Sequence, residues 1–160
     1  MREPVEKLID LYQEHLFAAA FSICKNTSDA DDVVQDTFLK YHMSSKQFSS
    51  TEHIKAWLLR VAINKAKDVN RSFWKQRAIS IDEYTELVSD TSGVEDANVL
   101  SEVLKLPLKY RIVIHLFYYE DYSISEIAQI LKITESNVKV RLSRGRSLLR
   151  DNMQEDLVYD

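Results

Sequence analysis

Glycine and proline are scarce in this chain, with two of each in 160 residues, and cysteine occurs once, as Cys24. So few breakers, alongside long apolar patterns of 3.6-residue period, argue for an all-helical protein. A single cysteine excludes an intrachain disulfide and cannot by itself build a Cys-rich zinc site, which fits a reducing cytoplasm. Long hydrophobic runs are missing as well. The strongest, Leu16 to Cys24, is interrupted by Ser22 and is too short to span a bilayer. It follows Glu3, Glu6, Asp10 and Glu14 rather than a clean basic segment, so neither a signal peptide nor membrane insertion is expected. There is no Gly-rich phosphate loop, and His15, His42, His53 and His115 are scattered without metal-ligand spacing to Cys24. These absences argue against an enzyme, and no cofactor or metal is implied.

What is present is enough apolar sequence, 45%, for one medium domain or two small ones, and a segregated charge pattern. The net charge of −4 at first argues against a nucleic-acid binder. Its distribution reverses that argument. From 55 to 77 the chain carries Lys55, Arg60, Lys65, Lys67, Arg71, Lys75 and Arg77 against Asp68 alone. From 132 to 150 it carries Lys132, Lys139, Arg141, Arg144, Arg146 and Arg150 against Glu135. Between the two blocks, 80 to 96 holds six carboxylates and no cation.

The stretch from Tyr122 to Arg146 has the spacing of a helix-turn-helix. Ser123 can cap a first helix with Glu126 completing a capping box, and Ile127, Ile130 and Leu131 form its apolar stripe. Ala128 is small enough to let a second helix cross closely, and Val138 is placed to plug the angle. Thr134 caps that second helix, whose Val138, Leu142, Gly145 and Leu149 share one face. Ser136, Val140, Ser143, Arg144 and Ser147 take the opposite face, with Asn137 and Lys139 at its edges. A polar, cationic face of this kind suits major-groove readout; an ordinary helical hairpin with a solvated basic face would show the same spacing. The turn residue, Lys132, is expected to need positive φ, at a cost of about 1 kcal/mol against glycine.

The N-terminal half reads as three helices. The first, about Pro4 to Lys25, places Val5, Leu8, Ile9, Tyr12, Leu16, Ala19, Ala20 and Ile23 at core spacing. The second, about Asp29 to Met43 with Ser28 as its cap, buries Ala30, Val33, Val34, Thr37, Phe38 and Tyr41. Its other face carries Asp31, Asp32, Gln35, Asp36 and Leu39: either a solvated acidic face or, because Leu39 sits among the carboxylates, a docking surface for a basic partner. The polar loop 44–51 contains one aromatic, Phe48, which either anchors the loop on the core or stacks on an unstacked base. The third helix, about Glu52 to Lys75, buries Ile54, Trp57, Leu58, Val61 and Ala62. Its basic remainder, with Asn64, Phe73 and Trp74, suits a nucleic-acid groove. Beyond it, 79–93 reads as an acidic interdomain linker. A helix near Val94 to Leu104 and another opened by Pro107 then lead to the helix-turn-helix, and residues 153–160 read as a frayed acidic tail.

Taken together, these motifs resemble a bacterial RNA polymerase sigma factor of the extracytoplasmic-function (ECF) type. Asp29-Ala-Asp-Asp-Val-Val-Gln-Asp-Thr-Phe38 is similar to the family's core-binding helix. Lys55-Ala-Trp-Leu-Leu-Arg-Val-Ala-Ile-Asn64, with Asp68 and Arg71, is similar to the helix that meets the −10 promoter element. Leu106-Pro107 with Arg111, and Ser123 through Arg146, resemble the domain that binds the −35 element. The resemblance implies two helical domains, at 1–78 (sigma region 2) and 94–152 (sigma region 4). It also implies a non-enzymatic, dissociable subunit that docks on core polymerase, recognises both elements and helps open the DNA. By the same resemblance, Asp32, Gln35, Asp36 and Leu39 would meet the polymerase clamp helices. Gln47 and Phe48 would hold a flipped −10 base, with Asn64, Lys67 and Arg71 beside the melted strand. Ser136, Asn137, Lys139, Val140, Ser143 and Arg144 would read the −35 element. Lys132 stands where the family usually has glycine, and Val140 where a small polar residue is usual. The polymerase flap is a further implied contact of the second domain, and an anti-sigma factor an implied partner. A conventional helix-turn-helix regulator is the competing reading.

Overall fold

The structure is a computed structural model that describes the backbone of residues 1–74 and 94–159, and side chains of residues 1–71 and 99–154. The segment expected as a linker, 79–93, and the side chains of Phe73, Trp74, Lys75 and Arg77 lie outside the described residues. The chain divides into two compact units, Met1–Arg77 and Ala78–Asp160, and the described residues of both are helical with no strand.

In the first unit α1 (Val5–Cys24), α2 (Thr27–Met43) and α3 (Thr51–Trp74) pack pairwise on one another. Their shared core holds Leu8, Leu16 and Ile23 of α1, Val33, Phe38 and Tyr41 of α2, and Ile54, Leu58, Leu59 and Ile63 of α3. Lys25 adopts a left-handed conformation (φ 56°, ψ 31°) that ends α1 abruptly, and its N–H donates to the carbonyl of Phe21. The cap of α2 is Asn26 rather than the expected Ser28: the Asn26 side chain accepts from the Asp29 N–H at 2.8 Å, so the helix starts two residues early. Asn-Thr-Ser offers three competent caps in a row. The tight turn after α1 selects the first.

The second unit comprises α4 (Val94–Leu104), α5 (Leu108–Ile114), a π-helical turn His115–Tyr119, α6 (Ile124–Leu131) and α7 (Glu135–Tyr159). Arg111, 4% exposed, donates to the carbonyls of Leu104 (3.0 Å) and Leu106 (3.3 Å), so a buried cation closes the negative end of α4. Gly145 of α7 sits against α5. A Cβ built there would lie 2.6 Å from Ile114 Cδ1 and 3.3 Å from Tyr110 Cβ, so the absence of a side chain sets how closely the two helices approach. One expectation changes here. The expected tail at 153–160 is helical as far as Tyr159, continuing α7.

Candidate nucleic-acid interface

The helix-turn-helix is built from the caps that the sequence announces. Ser123 N donates to Glu126 Oε1 (2.9 Å) while Glu126 N donates to Ser123 Oγ (3.1 Å), a closed capping box that starts an α6 of only eight residues. Ile127, Ala128 and Ile130 of α6 and Val138 and Leu142 of α7 are buried. At the corner Lys132 takes φ 56°, ψ 47°, and the N–H groups of Lys132 and Ile133 both donate to the Ala128 carbonyl. Thr134 Oγ1 then accepts from Asn137 N at 3.1 Å to open α7.

Turned outward on α7 are Ser136, Lys139, Val140, Ser143 and Arg144, all exposed, with Asn137 half-buried at the edge. Asn137 is not a bare amide. Its Oδ1 accepts from Arg141 Nε (3.1 Å), which fixes both side chains on the flank of the helix. Sequence reasoning missed a second fixed cation, Arg146: its Nε donates to Tyr118 Oη at 2.6 Å and its guanidinium lies over the Phe117 and Tyr118 rings at 5.3 and 5.5 Å. Neighbouring aromatics in the π-helical turn after α5 were the available signal.

In the first unit, Asn64, Lys67, Asp68 and Arg71 follow one another at i, i+3, i+4 and i+7 on α3. Asn64, Asp68 and Arg71 are exposed and Lys67 half-buried. Arg71 bonds Asp68 at 2.6 Å, but both side chains are more than 70% exposed, so the pair holds orientation more than it adds stability. The loop between α2 and α3 shows Gln47 exposed and Phe48 4% exposed. Phe48 packs edge-on to Trp57 and His53 and tilted against Tyr41, with centroids 5.2–5.8 Å away. Its ring is therefore occupied, and Phe48 anchors the loop instead of offering a stacking face. Gln47 Oε1 accepts from the Met1 amino group at 3.0 Å.

On α2, Asp32, Gln35, Asp36 and Leu39 are all exposed, Leu39 to 55%. Beside them lies a shallow groove of about 540 Å³ between α1 and α2, lined by Val5, Glu6, Ile9, Gln13, Val34, Gln35, Phe38, Leu39 and His42. Val5 and Ile9 were read as core; half-buried, they extend the apolar part of this face onto α1. Tyr12, also on α1, has its phenol pKa raised by burial and then by Glu52 and Glu3, so it stays neutral at pH 7.

The order of these parts decides the family. A model described as sigma-70 region 2 matches residues 8–77, and one described as sigma-70, region 4 matches residues 97–149. This chain belongs to the sigma-70 family, as an ECF sigma factor. It is similar to the ECF RNA polymerase sigma factor SigW of Bacillus subtilis (30% identity, 92% of this chain, 88% of SigW). The RNA polymerase sigma factor SigV of the same organism is 32% identical over 91% of this chain and 89% of its own length. Among solved structures, CnrH in complex with the cytosolic domain of CnrY matches with a TM-score of 0.71 and 28% identity, over 95% of this chain and 88% of CnrH. The region 2 match spans the acidic face, the loop and the α3 stripe of this ECF sigma factor. The region 4 match spans the helix-turn-helix.

Proposed function

We propose that this ECF sigma factor docks on the clamp helices of core RNA polymerase through Asp32, Gln35, Asp36 and Leu39. The acidic α2 face, with one exposed leucine next to its carboxylates and an apolar groove beside it, supports this role. It suits a basic partner that also offers an apolar contact. The flap is a second docking site, used by the 94–152 domain.

Promoter recognition divides between the two units. Lys139 and Arg144, exposed on α7 with Ser136, Asn137, Val140 and Ser143, read the −35 element. Val140 adds an apolar contact of the kind a thymine methyl accepts. Gln47 on its anchored loop meets an extruded −10 base, while Asn64, Lys67 and Arg71 follow the melted strand. Extruding a base costs a few kcal/mol, so the loop and the strand contacts are where binding energy becomes strand opening. The chain catalyses nothing itself and works in the cytoplasm, where polymerase is. By likeness to CnrH, solved with the cytosolic domain of CnrY, an anti-sigma factor is a further partner. A pull-down under non-inducing conditions that yields polymerase and no small protein would remove that partner.

The observation that carries the proposal is the capped helix-turn-helix with its outward cationic face in the same chain as the acidic docking helix. Run-off transcription with bacterial core polymerase on a pool of promoter fragments tests it. Discrete start sites are expected only when the chain is present, and they are lost with Lys139→Ala or Arg144→Ala. No new start sites, together with a DNA site protected by the chain alone, would make it a conventional regulator.

A further inference from the structure

The loop between α2 and α3 is tied down from an unexpected direction. Residues 1–3 run alongside it, and Phe48 N donates to the Met1 carbonyl at 3.1 Å. Tyr41, 1% exposed, clasps Glu3 from inside: its hydroxyl donates to Glu3 O (2.7 Å) and accepts from Glu3 N (3.0 Å). Between these two ties sits Arg2. One guanidinium nitrogen donates to the Tyr41 carbonyl and the other to the Lys46 carbonyl, both at 2.8 Å. The guanidinium carbon also lies 4.5 Å from the Tyr41 ring centroid.

Each contact has a physical reason. Tyr41 lies in the last turn of α2, where its carbonyl accepts from the Ser44 N–H (3.1 Å) and keeps a second lone pair for Arg2; the helix end is electronegative, so a cation is favoured there. The Lys46 carbonyl belongs to the loop, which has no helical or strand pairing of its own. A planar fork that donates to both joins a rigid helix end to a loop that its own backbone does not hold.

We infer that Arg2 is a positioning residue for promoter opening: by bridging the Tyr41 and Lys46 carbonyls it preforms the loop that presents Gln47 to an extruded −10 base. The inference rests on the reading of that loop as base-binding. A loop ordered in advance leaves more of the binding energy for holding the base, because the entropy of fixing it is not taken from that energy. Arg2 touches neither base nor strand. It acts through the loop.

The test uses the full chain with core polymerase, on a promoter that the chain supports. Open-complex formation is followed on the intact duplex and on duplexes carrying one abasic site at each −10 position in turn. Gln47→Ala identifies the position whose base the loop holds. Arg2→Ala is expected to slow opening roughly tenfold on the intact promoter, as loss of two charge-assisted hydrogen bonds would, and to have little effect once that base is absent. Arg2→Lys, which keeps the charge without the fork, falls between the two and guards against a variant that fails to fold; helix content by circular dichroism checks both. Equal slowing by Arg2→Ala on intact and abasic templates would show a general structural role and overturn the proposal, as would no slowing at all. If Gln47→Ala shows base dependence but Arg2→Ala does not, the latch falls and the loop reading stands. If Gln47→Ala shows none at any position, the loop reading falls and takes the latch with it.

Discussion

Lys132 carries a side chain where the corner of the helix-turn-helix puts the backbone at φ 56°, ψ 47°. Its side chain is exposed to solvent. Lys132→Gly is therefore expected to stabilise the second unit, by about 0.5–1 kcal/mol once glycine's greater freedom in the unfolded chain is set against the relieved strain. Urea unfolding followed by circular dichroism would show the midpoint rise, and a fall would mean the conformation costs lysine nothing. Leu39 poses the opposite case, an apolar residue that the fold does not need. Leu39→Arg is expected to leave the thermal midpoint nearly unchanged while weakening binding to core polymerase by about tenfold or more, measured by fluorescence anisotropy of labelled chain. A matching loss of stability would assign Leu39 to the core instead. Single residues also mark where sequence reading stops. The left-handed corner was legible because the motif demands it. The fate of Phe48 was not, because burial of a lone aromatic in a polar loop depends on Tyr41 and Trp57, which come from two other helices.

Helix faces were largely legible where apolar residues recur at helical spacing, as on α3, where Ile54, Leu58, Val61 and Ala62 are buried as expected and Trp57 is half-buried. Helix ends were less so. Asn26 displaced Ser28 as a cap, and the π-helical turn His115–Tyr119 went unforeseen, since one wide turn leaves the local apolar pattern almost unaltered. That turn is closed by Glu120 N donating to His115 O at 3.2 Å, and it leaves Tyr118 and Tyr119 more than half exposed, with Tyr118 holding Arg146. The crossing of α5 and α7 is the most constrained contact between elements. A valine at position 145 would drive its Cβ into Ile114 and Tyr110, so Gly145→Val should destabilise the second unit by roughly 1–3 kcal/mol despite valine's better helix propensity. A denaturation midpoint equal to that of the parent chain would show that Ile114 can swing aside at no cost.

Across the molecule, the two compact units each have their own buried residues, and each carries the surface proposed for one promoter element. The order of motifs along the chain made this division legible; the residues joining the units lie outside those described. Covalent connection matters because a second module tethered to a bound first one acts at an effective concentration of about millimolar for short flexible linkers. Fragments 1–78 and 94–160, mixed at micromolar concentration with core polymerase, are therefore expected to lose most run-off product, although each retains helical circular dichroism. Full activity in trans would mean that each fragment binds tightly enough alone. Both tryptophans, Trp57 and Trp74, fall in the first unit, and the second has only tyrosines and phenylalanines as its ring chromophores. Excitation at the red edge of the indole band therefore labels one half of the molecule optically, without any engineered dye. Because Trp57 lies edge-on to Phe48 at 5.7 Å, its emission, separated from that of the other indole by Trp74→Phe, also provides an intrinsic signal for the α2–α3 loop.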